Sequence, residues 1–234
     1  MKKCCVLGLG YIGLPTAAII SNTGHNVIGV DIKKDIVDLL NSGISHFHEK
    51  GLDELIREGL KNKNFKATNV PEESDVFIIA VPTPILNNNG LPKPNLNFVF
   101  NAVNSICNVI KENDILIIES TIPVGTTEKI GSIINEKTNL NKDNVHICYC
   151  PERVLPGNII FELKNNNRVI GGLTEKASNE VINFYSTFCK GTLSKTNAKT
   201  AEMIKLTENS YRDVNIAFAN ELSMICDQFE IDSQ

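Results

Sequence analysis

Apolar residues in this chain gather in short unbroken runs, and between the runs they recur every three or four positions. The runs at 3–7, 26–30, 76–81, 115–119 and 145–149, with a further one at 168–170, predict strands. Their near-continuous apolar character marks strands buried on both faces. The intervening stretches at 14–23, 34–42, 51–62, 97–110 and 127–138 predict helices. Such alternation implies right-handed crossovers and a doubly wound, mostly parallel sheet covered by helices on both sides, an α/β fold. Asn87-Asn88-Asn89-Gly90, flanked by prolines from Pro82 to Pro94, predicts a loop. It would lie at the C-terminal edge of the third strand, where doubly wound sheets bind ligands. From 199 to 230 there is no Gly or Pro, which predicts one helix about 45 Å long. Met203, Leu206, Val214, Ala217 and Ile225 give that helix an apolar stripe, and its length outruns the sheet. The expected organisation is a domain over 1–195, followed over 196–234 by a connecting helix that begins a helical middle domain.

The junction of the first run with the first helix reads Gly8-Leu9-Gly10-Tyr11-Ile12-Gly13, and Asp31 ends the second run. Strand, glycine turn, helix, second strand and acid stand in the order of a Rossmann-type dinucleotide fingerprint. Gly8 permits a tight turn, Gly10 permits backbone to approach a pyrophosphate, and Gly13 lets the helix pack close to the strand. The helix N-terminus, around Tyr11 and Ile12, offers free N–H groups to the phosphates. Asp31 follows Gly13 by 18 residues, the placement of an acid that accepts from the adenosine ribose. An acid without an arginine directly after it favours NAD over NADP, although Lys33 and Lys34 stand nearby.

Composition narrows the class. The chain has 234 residues, 42% hydrophobic and 21% charged, with a net charge of −4. No basic surplus suggests nucleic acid, and no run of 18 or more apolar residues suggests a membrane span. The first strand starts almost at the N-terminus, which fits neither a signal nor a transit peptide. Seven cysteines without a CxxC pair read as free thiols of a cytoplasmic protein, with Cys4, Cys5, Cys107, Cys148 and Cys150 in apolar segments expected to be buried. His46-Phe47-His48 and Cys148-Tyr149-Cys150 have no matching second pair, so no metal site is expected.

Four further segments follow strand ends or lie on the long helix. They are Val81-Pro82-Thr83-Pro84, Ser120-Thr121-Ile122-Pro123-Val124-Gly125-Thr126-Thr127, Pro151-Glu152-Arg153-Val154-Leu155-Pro156-Gly157 and Lys205-Leu206-Thr207-Glu208-Asn209. With the glycine turn they resemble, in order and across essentially the whole chain, the UDP-glucose/GDP-mannose dehydrogenase family. The Pro-Glu-Arg-Val-Leu-Pro-Gly form is most similar to the branch acting on UDP-N-acetyl-D-mannosamine. The resemblance implies NAD-dependent oxidation of a UDP-N-acetylhexosamine at its C6 alcohol to the uronic acid, for polysaccharide precursors. N-acetylmannosamine leads, with N-acetylglucosamine and N-acetylgalactosamine behind.

The same resemblance implies roles. Val81, Pro82, Thr83, Ser120 and Thr121 would line the cofactor, with Thr121 positioning water near the reacting carbon. Glu152 would act as a general base, although Arg153 beside it offers a structural ion pair instead. Arg153 would contact substrate phosphate or acetamido groups. Lys205 and Asn209, spaced i,i+4, share one helix face and would present an ammonium and an amide to one substrate oxygen; an ordinary Lys/Asn pair is a solvated face. Glu152, Arg153, Lys205 and Asn209 are thus the expected substrate contacts.

Departures limit the transfer. Pro156 stands where the UDP-glucose branch has a second glutamate, and Lys50 replaces the proline of the family's Glu-Pro-Gly-Leu segment. His46 and His48 in that segment are expected at the surface. The family's catalytic cysteine belongs to a Gly-rich segment after the Lys/Asn helix, and none of these seven cysteines stands in such a segment. Cys226 reads as core or interface. The chain is therefore expected to be the N-terminal part of such an enzyme, lacking the C-terminal UDP-binding domain and inactive alone in overall turnover. It is also expected to pair as a homodimer through the long helix. A non-catalytic NAD-binding or dimerisation module and a β-hydroxyacid dehydrogenase remain alternatives; the Val-Pro-Thr-Pro and Pro-Glu-Arg-Val-Leu-Pro-Gly segments argue against the latter.

Overall fold

The computed structural model describes residues 1–88, 90–155 and 157–233, so Asn89, Pro156 and Gln234 lie outside the described residues. The first half runs β1 (Lys3–Leu7), α1 (Gly13–Ser21), β2 (Asn26–Val30), α2 (Lys34–Asn41), α3 (Leu52–Lys61), β3 (Phe65–Thr68), β4 (Val76–Ile79), β5 (Ile85–Asn88), β6 (Leu91–Pro94) and α4 (Asn97–Ile106). The second half runs β7 (Ile115–Ile118), α5 (Thr126–Thr138), β8 (His146–Tyr149), α6 (Ile159–Asn165), β9 (Arg168–Gly172), α7 (Glu175–Tyr185), β10 (Leu193–Asn197) and α8 (Ala198–Gln228).

The main sheet has the order β3-β2-β1-β4-β7-β8-β9-β10. Pairing is parallel from β3 through β8, so the two winding directions diverge between β1 and β4. Alternate residues of each central strand feed opposite cores. Cys4, Val6, Ile78, Ile117 and Cys148 face one, where α1 packs with every residue buried. Cys5, Leu7, Phe77, Ile79, Leu116, Ile118 and Tyr149 face the other, closed by α4 and α5. A strand buried on both faces favours apolar residues, which is why these runs are nearly unbroken; His146 is the buried polar exception in β8.

The remaining strands depart from that rule. β3 alternates buried and exposed along Phe65-Lys66-Ala67-Thr68, and β10 is mostly exposed along Leu-Ser-Lys-Thr-Asn. Both are sheet edges, and neither was expected from the apolar runs. The run at 168–170 extends to Gly172, and β9 lies antiparallel to β8, with β10 parallel to β9. Residues 82–94 are not a loop throughout, because β5 and β6 pair as an antiparallel ribbon. Pro92 and Pro94 are tolerated there because a two-stranded ribbon leaves one edge of each strand unpaired.

The apolar stripe expected on α8 lies away from the sheet. The helix's buried residues are Ala198, Ala201, Glu202 and Lys205, while Met203, Val214 and Ile225 are at least half exposed. Only the first turns of α8 touch the sheet. Glu202 fixes that contact. Its carboxylate accepts from the backbone N–H groups of Gly125 (2.6 Å) and Thr127 (2.8 Å) and from the Thr127 hydroxyl (2.6 Å). The α5 N-terminus has no side-chain cap of its own, so a carboxylate from another helix supplies one. Hydrogen bonds to a charged acceptor contribute about 1.5–3 kcal/mol each.

All seven cysteines are free, and Cys4, Cys5, Cys148, Cys150 and Cys189 are buried; Cys107, expected to be buried, is only partly so. Among the described residues no helix is long and apolar enough to cross a membrane, and no group of three or more His, Cys, Asp or Glu could hold a metal ion.

Candidate active site

At the divergence of β1 and β4 lies a cleft of about 850 Å³. Its floor is the glycine turn. Gly8 has φ +91°, and its N–H donates to the Val30 carbonyl at 2.8 Å. A Cβ on Gly13 would stand 1.8 Å from the Gly8 carbonyl oxygen, so α1 can start there only without a side chain. A Cβ on Gly10 would meet no protein atom within 4 Å, although Gly10 lines the cleft. The space over Gly10 is therefore open to a ligand. No side chain caps the N-terminus of α1, whose N–H groups and dipole suit a pyrophosphate.

Asp31 sits where expected, and its carboxylate accepts from the N–H groups of Leu9 (3.1 Å) and Lys33 (3.0 Å). It thereby ties the glycine turn to the end of β2, and each oxygen keeps a lone pair for a ribose hydroxyl. Sequence reasoning missed its neighbours at this end. Asn69 donates to the Asp31 carbonyl at 2.8 Å and lines the cleft with Ile32, Lys33 and His46. Tyr11 and Phe47 stack at 4.5 Å beside the turn. His46 and His48 are both exposed. The open cradle over Gly10, the uncapped helix and the placed acid fit NAD.

Val81, Pro82, Thr83, Ser120 and Thr121 line the other end of the same cleft, as does Glu152. Ser120 is a staple rather than a free donor, because its hydroxyl donates to the Val81 carbonyl at 2.7 Å and joins the ends of β4 and β7. Thr121 is half-buried. Glu152 does not pair with Arg153. Lys205 donates to its carboxylate at 2.9 Å and to its backbone carbonyl at 2.7 Å. Arg153 pairs with Glu208 at 2.6 Å. Nor is Lys205 on a solvated face, being only 5% exposed. Arg153, Lys205 and Asn209 border a second cavity of about 690 Å³ along α8, together with Tyr211 and Arg212, which sequence reasoning also passed over. The Glu152–Lys205 pair thus stands between two cavities, Glu152 facing the first and Lys205 the second.

Two carboxylates hold this arrangement from behind. Glu49, in the segment 44–52, accepts from Gly157 (3.1 Å) and Ile159 (2.9 Å) and fixes the loop that carries Glu152 and Arg153. Glu119, next to Ser120, is buried against Arg168 and the Tyr185 hydroxyl. Burial raises its pKa, while Arg168, Tyr185 and Thr16 oppose that. The thiol nearest Glu152 in sequence, Cys150, is pushed up by burial to about 11, which leaves it a poor nucleophile at neutral pH. No residue type at these positions distinguishes a buried acid from a solvated one, and only the contacts reveal them.

Known proteins match this chain along its length. The model described as the UDP-glucose/GDP-mannose dehydrogenase family, NAD binding domain, matches residues 2–189, and that family's central domain matches 199–234. A UDP-N-acetyl-D-mannosamine dehydrogenase from Campylobacter jejuni is 49% identical over 98% of this chain and 58% of its own length. An NDP-N-acetyl-D-galactosaminuronic acid dehydrogenase from Ralstonia nicotianae is 45% identical over 98% of this chain and 56% of its own length. The solved structure of a UDP-D-ManNAc dehydrogenase from Pyrococcus horikoshii superposes with a TM-score of 0.94 at 41% identity, over 99% of this chain and 55% of that one. The chain thus spans little more than half the length of the relatives it matches. A Rossmann-type sheet with a cleft over its glycine turn and two family models in register across residues 2–189 and 199–234 place the chain in the UDP-glucose/GDP-mannose dehydrogenase family, with NAD as cofactor.

Proposed function

We propose that this chain carries the cofactor side of a UDP-N-acetylhexosamine 6-dehydrogenase, with UDP-N-acetyl-D-mannosamine as its first substrate and a uronic acid for polysaccharide precursors as the product. The observation that carries the reading is the Glu152–Lys205 pair between the two cavities. NAD, when bound, supplies the hydride acceptor. Lys205 places a positive charge where negative charge develops on the C6 oxygen. Asn209, one helical turn on, presents its amide to the same oxygen. Glu152 serves as general base toward a water that Thr121 orients, and its ion pair with Lys205 keeps the carboxylate aimed at that point. Arg153, at the mouth of the second cavity, meets the substrate's phosphate or acetamido group.

The test is NADH formation by the chain with NAD and each UDP-N-acetylhexosamine. NADH from the first hydride transfer alone, alcohol to aldehyde, should appear fastest with UDP-N-acetylmannosamine and only slowly with UDP-glucose, since overall conversion to the acid is not expected of this chain by itself. NAD binding without reduction by any of these sugars would leave a binding module and defeat the oxidation reading for this chain.

The outer half of α8 exposes Tyr211, Val214, Phe218, Leu222 and Ile225 in steps of three and four, an apolar seam that monomers rarely leave open. We propose that a second copy of the chain covers it. Light scattering on the purified chain should give twice the monomer mass, and a monomer at micromolar concentration would refute the pairing.

A further inference from the structure

β7 is wholly apolar and buried along Ile115–Ile118, yet the next residue, Glu119, is a carboxylate whose side chain has no exposed surface. One of its oxygens accepts from the Tyr185 hydroxyl at 2.6 Å and pairs with Arg168 at 3.2 Å. The other lies 3.4 Å from the Thr16 hydroxyl. Arg168 is itself 4% exposed, lies 4.9 Å over the Tyr185 ring, and reaches the Cys150 sulfur at 4.0 Å. Burying such a pair is expensive, and apolar residues of the same volume would often serve the fold as well. The location of the cluster says what it is for.

Three segments that build the cleft converge on it. Thr16 stands on α1, just behind the glycine turn. Glu119 immediately precedes Ser120 and Thr121. Cys150 stands two residues before Glu152. Asp31 and Asn69, which shape the far end of the cleft, make no contact with the cluster among their hydrogen bonds. We propose that Glu119 is a positioning residue for the nicotinamide end of the cleft. Clamped by Arg168 and Tyr185, its carboxylate sets the Thr121 turn and the Glu152 turn relative to α1. The proposal rests on NAD occupying this cleft.

ADP-ribose provides the discriminating probe, since it shares the adenosine, pyrophosphate and ribose of NAD and lacks the nicotinamide. Calorimetric titration of the chain with both ligands should show Glu119→Gln binding NAD about tenfold more weakly, with ADP-ribose within about twofold of wild type. Tyr185→Phe, which removes only the hydroxyl, should weaken NAD about threefold with the same selectivity. Glu119→Gln leaves Arg168 unpaired in the core and is prone to unfolding. The paired variant Glu119→Gln/Arg168→Met removes that burden and should keep the selective loss of NAD. Wild-type NAD affinity in the folded double variant and in Tyr185→Phe would overturn the proposal. Equal weakening of both ligands would overturn it too, since a generally loosened fold does not discriminate between them. Failure of the wild-type chain to bind either ligand would instead overturn the assignment of the cleft to NAD.

Discussion

Gly10→Ala should weaken NAD binding about a hundredfold or more and leave the fold intact, whereas Gly13→Ala should damage the fold itself. The two glycines stand three residues apart in one turn, but an added methyl meets different things. At Gly13 it would sit 1.8 Å from the Gly8 carbonyl oxygen and 3.1 Å from the Ala80 Cβ. The Gly8 backbone cannot yield, because its N–H is held by Val30 at 2.8 Å and its own Cβ direction is blocked by the Ala80 carbonyl at 2.7 Å. Overpacking of this kind costs about 1–3 kcal/mol where neighbours can shift, and here the neighbour is backbone. A loss of about 3 kcal/mol or more is expected, read as a lower urea midpoint at unchanged slope. At Gly10 the methyl would meet no protein atom within 4 Å, so the urea midpoint should match wild type. It would instead occupy the space above the uncapped α1 terminus, where the pyrophosphate must approach. The NAD dissociation constant should rise about a hundredfold or more, equivalent to at least about 2.7 kcal/mol. Undiminished NAD affinity in a folded Gly10→Ala would show that the pyrophosphate does not lie over this turn.

That contrast shows what the sequence made legible. A glycine turn between a strand and a helix is local, so Gly8, Gly10, Gly13 and Asp31 could be read from spacing alone. Strands buried on both faces were legible as near-continuous apolar runs, because both faces favour apolar side chains. β3 and β10 were not, since an edge strand buries only part of its surface and its sequence alternates or turns polar. The ribbon of β5 and β6 hid behind its prolines. The long helix was legible in extent and in outrunning the sheet, but not in what its first turns carry inward. Only its first turns reach the sheet, so its inward face holds two alanines, Glu202 and Lys205 instead of large apolar residues.

The acids that hold the site together were illegible for a different reason. Glu202 meets its partners 75 and 77 positions away, Glu49 meets its own at 108 and 110, and Glu119 meets Tyr185 at 66. A carboxylate is normally placed in solvent by any reading of composition, and only the returning chain turns it into a buried acceptor. Glu152 and Lys205, 53 positions apart, were each singled out only through resemblance, and their pairing was not expected. Even then the neighbour in sequence, Arg153, was offered as the partner of Glu152, and it turns away to Glu208.

Lys205→Met should lower NADH formation about 10²–10³-fold, measured with the UDP-N-acetylhexosamine that wild type reduces NAD with fastest. NAD affinity should stay within about twofold, because Lys205 borders the α8 cavity and not the dinucleotide cleft. Met preserves the length and apolar stem of the side chain, so the loss reports the ammonium. That ammonium does two things, since it holds the Glu152 carbonyl and carboxylate at 2.7 and 2.9 Å and faces the sugar oxygen in the proposed complex. The double variant Lys205→Met/Glu152→Gln separates them. If the pair acts as a unit, the double variant is no slower than Lys205→Met alone, because residues that work together are not additive. The double variant should also be the more stable of the two, since it no longer leaves a carboxylate without its cation in a site where Glu152 is only 17% exposed. Multiplying losses would mean that Lys205 and Glu152 serve separate steps. An unchanged rate in Lys205→Met would remove Lys205 from the chemistry altogether and leave its burial to be explained by the fold.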